Sequence, residues 1–233
     1  GNTVPTDCKI SRVTPVYKGA GEKTELGNYR PISNTTHVAK VIERCVNEQL
    51  MNYLNEHDFI TADQSAYLRS HSTIDSIHRV TQDWLEAMND GLMIGACFLD
   101  IKKCFDTISH DILLDKLKRY GIANKEFEWF CSYLTDRSIL VNYNNNLSKP
   151  CTQTIGIPQG SVLGPTLFLL YINDLSSHTS GANLNMWADD ALLYTIRKST
   201  EDIQIALQAS VDSAADWYNG NKKCLGVSKC HSM

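Results

Sequence analysis

Hydrophobic residues along this chain change their period several times, and each change marks an element. Residues 10–18 alternate as a strand does. The connection from Gly19 to Gly27 is polar and reads as flexible. Val38, Val41, Ile42, Cys45, Val46, Leu50, Tyr53 and Leu54 then fall at helical spacing behind Thr35 and Thr36, which can cap the first turn. A second helix behind Ser72 and Thr73 is expected to bury Ile74, Ile77, Val80, Trp84 and Met88 as core. After an apolar strand that reaches Asp100, Ser109 is expected to cap a helix ending at Gly121, and Asn124 to open another that carries Phe127, Phe130 and Tyr133. Ile139, Val141 and Tyr143 alternate before the turn Asn144-Asn145-Asn146. An apolar helix runs through Tyr171 and Ile172, two apolar runs flank Asp189 and Asp190, and Ile203, Leu207, Val211, Ala214 and Tyr218 repeat helically from Thr200. Lys222 onward returns to a short strand near Lys229. With no internal repeat or low-complexity linker, the pattern gives one α+β domain.

Composition adds bounds. The 233 residues, 42% of them hydrophobic, can bury a real core. The chain begins with Gly1, and the expectation is a domain of a longer polyprotein. No charged-then-apolar leader and no 18-residue apolar run is present, so no membrane partner is expected. The eight cysteines form no C-x-x-C pair, which fits reduced thiols in an intracellular protein. Cys224, Cys230 and His231 lack a nearby fourth ligand for zinc. The net charge is −4. It is unevenly spread, with seven Lys/Arg against five Asp/Glu in residues 1–50 and two against eight in residues 51–100.

Two acidic clusters carry the candidate chemistry. One is Phe98-Leu99-Asp100-Ile101-Lys102-Lys103-Cys104-Phe105-Asp106; the other, with Asp189 placed 89 residues after Asp100, is Met186-Trp187-Ala188-Asp189-Asp190-Ala191-Leu192-Leu193-Tyr194. A carboxylate in a buried strand is costly unless a cation or hydrogen bonds compensate it. Asp189 and Asp190 between apolar runs read as the turn of a β-hairpin, and if Asp100 ends a neighbouring strand, like charges converge. At about 4 Å each pair repels by roughly 4 kcal/mol at an effective dielectric near 20. Divalent cations relieve that repulsion. Hard carboxylate oxygens favour magnesium over zinc, and two such ions suit in-line phosphoryl transfer. Taken alone, an Asp-Asp turn fits a solvated loop equally well.

Between the clusters lies Ile155-Gly156-Ile157-Pro158-Gln159-Gly160-Ser161-Val162-Leu163-Gly164-Pro165-Thr166-Leu167-Phe168, where glycine and proline around a glutamine allow a tight approach to something planar or anionic. An aspartate strand, a glycine-rich loop with its helix and an Asp-Asp hairpin follow one another as in a polymerase palm. From about Lys9 to Met233 the chain resembles the reverse transcriptases of non-LTR (LINE-like) retrotransposons. Further segments that carry the resemblance are Val13-Thr14-Pro15-Val16-Tyr17-Lys18, Asn28-Tyr29-Arg30-Pro31-Ile32-Ser33, Ser109-His110-Asp111-Ile112-Leu113-Leu114, Tyr120-Gly121-Ile122 and Leu170-Tyr171-Ile172-Asn173-Asp174-Leu175.

The resemblance implies a right-hand polymerase with fingers (about 1–95 and parts of 111–156) and palm (about 96–110 and 157–233), an antiparallel palm sheet packed on helices, and no thumb within these residues. It implies that Asp100 and Asp189 ligate two Mg2+ ions, with Mn2+ an acceptable substitute, that Asp190 assists, and that the Ile101 carbonyl is a further ligand. Asp106 matches no metal ligand and is read as a hydrogen-bonding carboxylate. Lys18 and Arg30 would hold the triphosphate, Arg30 through its bidentate fork. Gln159 would contact the nucleotide from below, with Gly160 allowing close approach. Phe105 would pack on the sugar and block a 2′-hydroxyl, and Lys229 would protonate pyrophosphate. The implied partners are an RNA template, a DNA primer, deoxynucleoside triphosphates and the rest of a parent polyprotein with an endonuclease and a thumb. The implied setting is intracellular, a cytoplasmic ribonucleoprotein first and the nucleus during integration.

Departures from the family pattern are Trp187, where tyrosine or phenylalanine is usual, Ala66, where glycine is common, and Leu68, where a basic residue is common. The competing readings are an RNA-directed RNA polymerase, which Phe105 opposes, and a catalytically weak or repurposed palm that only binds RNA.

Overall fold

In the computed structural model, which describes residues 2–179, 181–226 and 230–233, the elements in chain order are β1 (Ile10–Tyr17), β2 (Tyr29–Asn34), α1 (His37–Glu56), α2 (Thr73–Asn89), β3 (Met93–Leu99), α3 (His110–Arg119), α4 (Asn124–Leu134), β4 (Arg137–Tyr143), β5 (Asn146–Leu147), β6 (Cys151–Gln153), α5 (Gly164–Ile172), β7 (Asn183–Trp187), β8 (Asp190–Arg197), α6 (Thr200–Gly220) and β9 (His231–Ser232). Short 3-10 turns occupy Thr6–Lys9, Leu26–Asn28 and Asn173–His178. The chain forms two compact units, Gly1–His57 with Phe105–Leu167, and Asp58–Cys104 with Phe168–Met233. Residues 58–95 belong to the second of these units and residues 157–167 to the first. Among the described residues no helix is long and apolar enough to cross a membrane.

The first unit holds a sheet in the order β2-β1-β4-β5, with β6 also paired to β4. β1 runs antiparallel to β2 and parallel to β4. Asn144 and Asn145, both at positive φ, make the two-residue turn between β4 and β5, a conformation whose twist matches that of the flanking strands. Thr36 caps α1 by accepting from Ala39 N at 3.2 Å. The inward face of α1 is Ala39, Glu43, Leu50 and Leu54, whereas Val38 and Val41 are each 63% exposed. Ser109 does precede α3, but its side chain makes no capping bond.

The second unit holds an antiparallel sheet in the order β7-β8-β3-β9. Its core joins Val80, Ala96 and Tyr194, with Trp84, Leu192 and Ile196 packed around them. α6 presses on β3 so closely that a Cβ on Gly95 would stand 2.2 Å from Ile203 Cγ2. α2 begins with the capping box Ser72–Asp75. It lies turned about its axis relative to the expected burial. Ser76, Val80 and Ala87 face inward, while Ile74, Ile77 and Met88 are 74%, 64% and 61% exposed. The small inward residues let the helix sit near the sheet, where Ser76 Oγ donates to Asn185 Oδ1 at 2.8 Å, and periodicity alone cannot choose that polar contact over a larger apolar one.

Candidate active site

The hairpin β7–β8 pairs Trp187 with Asp190, leaving Ala188 and Asp189 as its turn. β8 runs antiparallel to β3 and places Ala191 opposite Leu99. Asp190 therefore precedes, and Asp100 follows, the two members of one cross-strand pair, so the backbone delivers all three aspartates to the same end of the sheet. Asp100 and Asp189 are half-buried and Asp190 is exposed. Two tyrosines register the charge of Asp189. The Tyr67 hydroxyl is pushed above its ordinary range first by burial, then by Asp189 and Cys104, and the buried Tyr218 hydroxyl is pushed up by burial, then by Cys230 and Asp189.

A strap from Lys223 to Gly226 runs beside the residues that follow β3. Lys102 N donates to Cys224 O at 3.0 Å, Ile101 bridges Leu225, and Gly226 N donates to Asp100 O at 2.7 Å. A Cβ on Gly226 would meet Asp100 Oδ2, so the strap lies close against that carboxylate. Lys223, 2% exposed, donates from Nζ to Cys104 O at 2.7 Å and lies over the Tyr171 ring at 4.7 Å. The residue expected to protonate pyrophosphate, Lys229, lies outside the described residues.

The donor set at the hairpin end consists of carboxylate oxygens in a negative field, which fits a hard divalent cation in kind. As the side chains stand, no group of three His, Cys, Asp or Glu residues among those described is gathered to hold an ion.

In the first unit the glutamine loop is zipped to the segment 105–110. Gly156 N donates to Ile108 O at 2.7 Å, Ile157 N to Phe105 O at 3.0 Å, and His110 Nε2 meets Gly156 O at 2.8 Å. Gln159 Nε2 donates to Asp106 Oδ1 at 2.8 Å, which gives Asp106 the hydrogen-bonding part expected of it. Gly160 has φ of 108°, and a Cβ there would lie 2.8 Å from Ser33 O; its close approach is to β2, whose Ser33 N also donates to Gln159 O at 2.8 Å. Phe105 is half-buried. Arg30 is exposed on β2 opposite Val16. Lys18, one residue past β1, donates from Nζ to Gly27 O at 2.7 Å and so closes its own connection. Tyr17, Tyr29 and Asn28 also donate to carbonyls within residues 21–23 of the Gly19–Gly27 connection.

Sequence reasoning missed a buried polar cluster that supports this loop. Glu43, 2% exposed, accepts from Val162 N at 2.6 Å and Leu163 N at 3.3 Å through Oε2, and from the Tyr133 hydroxyl at 3.2 Å through Oε1. It thus caps the amides that lead into α5, where a negative charge is favoured. Burial, then Glu43, raises the Tyr133 hydroxyl far above its ordinary range. Arg137, fully buried, donates to Tyr133 O at 3.0 Å and stands over the Tyr133 ring at 4.9 Å. The signal was present: Glu43 falls at i+4 from Ala39, inside the buried stripe of α1, where a carboxylate needs partners.

Residues 19–233 match the family described as reverse transcriptase (RNA-dependent DNA polymerase). Similar proteins include "Probable RNA-directed DNA polymerase from transposon BS" of Drosophila melanogaster, 31% identical over 91% of this chain and 24% of that protein, and the RNA-directed DNA polymerase from mobile element jockey of the same species, 28% identical over 98% and 26%. The chain thus spans about a quarter of the length of these curated relatives. Among solved structures, apo telomerase from Candida tropicalis, truncated from its C-terminal domain, superposes with a TM-score of 0.69 at 15% identity, covering 99% of this chain and 51% of that one. Telomerase from Candida albicans, in complex with a telomeric RNA fragment, gives 0.70 at 12% identity over 99% and 44%. At such identities the superposition speaks for the fold, a right-hand polymerase. The ordered motifs, the aspartate-bearing hairpin and the family match over 19–233 together place this chain in the reverse transcriptase family, among the domains of non-LTR retrotransposons.

Proposed function

We propose that this chain is the polymerase portion of an RNA-directed DNA polymerase that copies retroelement RNA into DNA by metal-assisted nucleotidyl transfer. The observation that carries the reading is the β3–β8 register, which brings Asp100, Asp189 and Asp190 to one end of a sheet. The family generally depends on a divalent metal. Asp100 and Asp189 would hold two Mg2+ ions, or Mn2+ in their place, with Asp190 and the Ile101 carbonyl assisting. When bound, such ions neutralise charge on the transferring phosphate and activate the primer hydroxyl. Arg30 offers its fork to the triphosphate, with Lys18 a second cation on the same hairpin. Gln159 and Gly160, fixed by Asp106 and Ser33, form the floor under the nucleotide. Phe105 packs on the sugar and excludes a 2′-hydroxyl, and Lys229 donates a proton to departing pyrophosphate.

The partners in this reading are an RNA template, a DNA primer, deoxynucleoside triphosphates and the remainder of a parent polyprotein, including an endonuclease and a thumb. Its setting is intracellular: a cytoplasmic ribonucleoprotein, then the nucleus during integration. Primer extension on an RNA template tests it. Magnesium-dependent addition of deoxynucleotides in preference to ribonucleotides is expected. Preference for ribonucleotides would indicate an RNA polymerase, and RNA binding without any addition a repurposed palm; either result would overturn the proposal.

A further inference from the structure

The segment 63–66 has no part in the chemistry assigned above, yet it is laced to the hairpin that carries Asp189. Met186 N donates to Asp63 O at 2.7 Å, Ser65 N donates to Met186 O at 3.1 Å, and Gln64 pairs with Met186 in a one-residue parallel bridge. The Gln64 side chain is 2% exposed and points its amide at one residue of the turn. Its Oε1 accepts from Ala188 N at 3.2 Å and from Ala66 N at 2.8 Å, while its Nε2 donates to Ala188 O at 3.4 Å. Both backbone polar groups of Ala188 are therefore held by a single side-chain amide. A carboxylate could supply only the acceptor half of that pair, and a hydrocarbon neither half.

Ala188 is the residue that needs holding. Its φ is 56°, in the left-handed region where a Cβ crowds the backbone, and such a conformation persists in a non-glycine residue only where its surroundings over-determine it. Ala188 directly precedes Asp189, so its dihedral angles set the direction in which the Asp189 backbone and carboxylate leave the hairpin. Glycine at 188 would reach the same angles unaided but would also visit others. Alanine clamped by a buried amide visits fewer.

We propose that Gln64 is a positioning residue for the cation site: its buried amide fixes Ala188 in the left-handed conformation and thereby aims the Asp189 carboxylate at the divalent ion. The inference rests on the reading of Asp189 as a cation ligand. Partners that orient a metal ligand typically contribute 10–100-fold in metal affinity or activity.

The test compares wild type, Gln64→Met, Ala188→Gly and the double variant by two metal readouts, with the melting temperature of each measured beside them. The first is Mn2+ half-saturation of the protein without nucleic acid, followed by electron paramagnetic resonance. The second is the Mg2+ concentration that half-saturates single-nucleotide addition. Gln64→Met is expected to raise both half-saturation concentrations about tenfold. The same substitution should cost less in the Ala188→Gly background, where the turn no longer needs the clamp. If Gln64→Met alone fails to fold, the double variant against Ala188→Gly supplies the comparison, with a smaller rise of the same sign. A fall in melting temperature with unchanged metal half-saturation would make Gln64 merely structural and overturn the proposal. Wild type that binds Mn2+ but adds no nucleotide would sink the polymerase reading and leave the clamp standing. Wild type that adds nucleotides, with Gln64→Met matching it in both readouts, would do the reverse.

Discussion

The two units differ in how their charge is distributed. In the first, charged and amide groups are committed to one another: Glu43 to the amides before α5, Gln159 to Asp106, Lys18 to its own connection, Arg137 to Tyr133. Its charge nearly balances, with 13 Lys/Arg against 12 Asp/Glu. In the second unit, nine Lys/Arg face 14 Asp/Glu, and three of the carboxylates reach one end of the sheet. The lesson is that a net charge of −4 misleads when read over the whole chain. The acidic excess belongs to the hairpin unit, whose clustered carboxylates are proposed to hold cations, while the charge of the other unit nearly balances. Removal of the Asp189 charge and removal of the Glu43 charge should therefore differ in sign as well as size.

The largest effect is expected at Asp189. Asp189→Asn should lower primer extension by at least about 10³-fold, since an amide cannot supply the charge that holds a cation. In metal-free buffer the same substitution should leave the melting temperature unchanged or raise it, by relief of repulsion worth about 1 kcal/mol. Calorimetry beside primer extension checks both halves. A variant that is both inactive and strongly destabilised would mean that Asp189 is structural.

Glu43 should behave in the reverse way. Glu43→Ala strips the acceptor from two amides and a buried hydroxyl, at a cost of about 3 kcal/mol, or roughly 10 °C in melting temperature for a chain of this size. Thermal unfolding followed by circular dichroism reads the loss. A shift within about 1 °C would mean that water replaces the carboxylate without penalty.

Phe105→Ala should raise the ratio of ribonucleotide to deoxynucleotide incorporation about tenfold, equivalent to 1.4 kcal/mol of lost discrimination. An unchanged ratio in competitive single-nucleotide addition would assign Phe105 to packing.

The smallest effect lies at the capping box of α2. The Ser72 hydroxyl and backbone amide hold the Asp75 carboxyl below its ordinary value of 3.8. A lowered folded-state value stabilises the protein above pH 3.8 and loses that contribution as pH falls through the lowered value. Asp75→Asn should therefore lower the melting temperature slightly at pH 7, and the difference should vanish under more acid conditions. A difference that persists in acid would mean that the side chain acts through something other than its charge.

Much of this architecture was legible in the sequence. Thr36 and Ser72 announced their helices because capping is local chemistry, and Asn144-Asn145 announced a turn because few residues accept positive φ. The aspartate strand and hairpin were legible for the same reason, since carboxylates among apolar strand residues need an explanation. Tertiary pairing was not. Periodicity could not turn α2 toward Ser76 and Ala87, nor show that Gly160 approaches Ser33. The partner of Gln64 lies 124 residues away at Ala188, and nothing local marks that pairing.

The central claim is that cation demand resides in the hairpin unit and scaffold stability in the other. Mn2+ binding to wild type, Asp189→Asn and Glu43→Gln, followed by electron paramagnetic resonance below the melting temperature of each, tests it most directly. The account predicts binding by wild type, at least about tenfold weaker binding by Asp189→Asn, and wild-type affinity in Glu43→Gln despite its lower melting temperature. Equal affinity in wild type and Asp189→Asn, or loss of binding in Glu43→Gln alone, would contradict it.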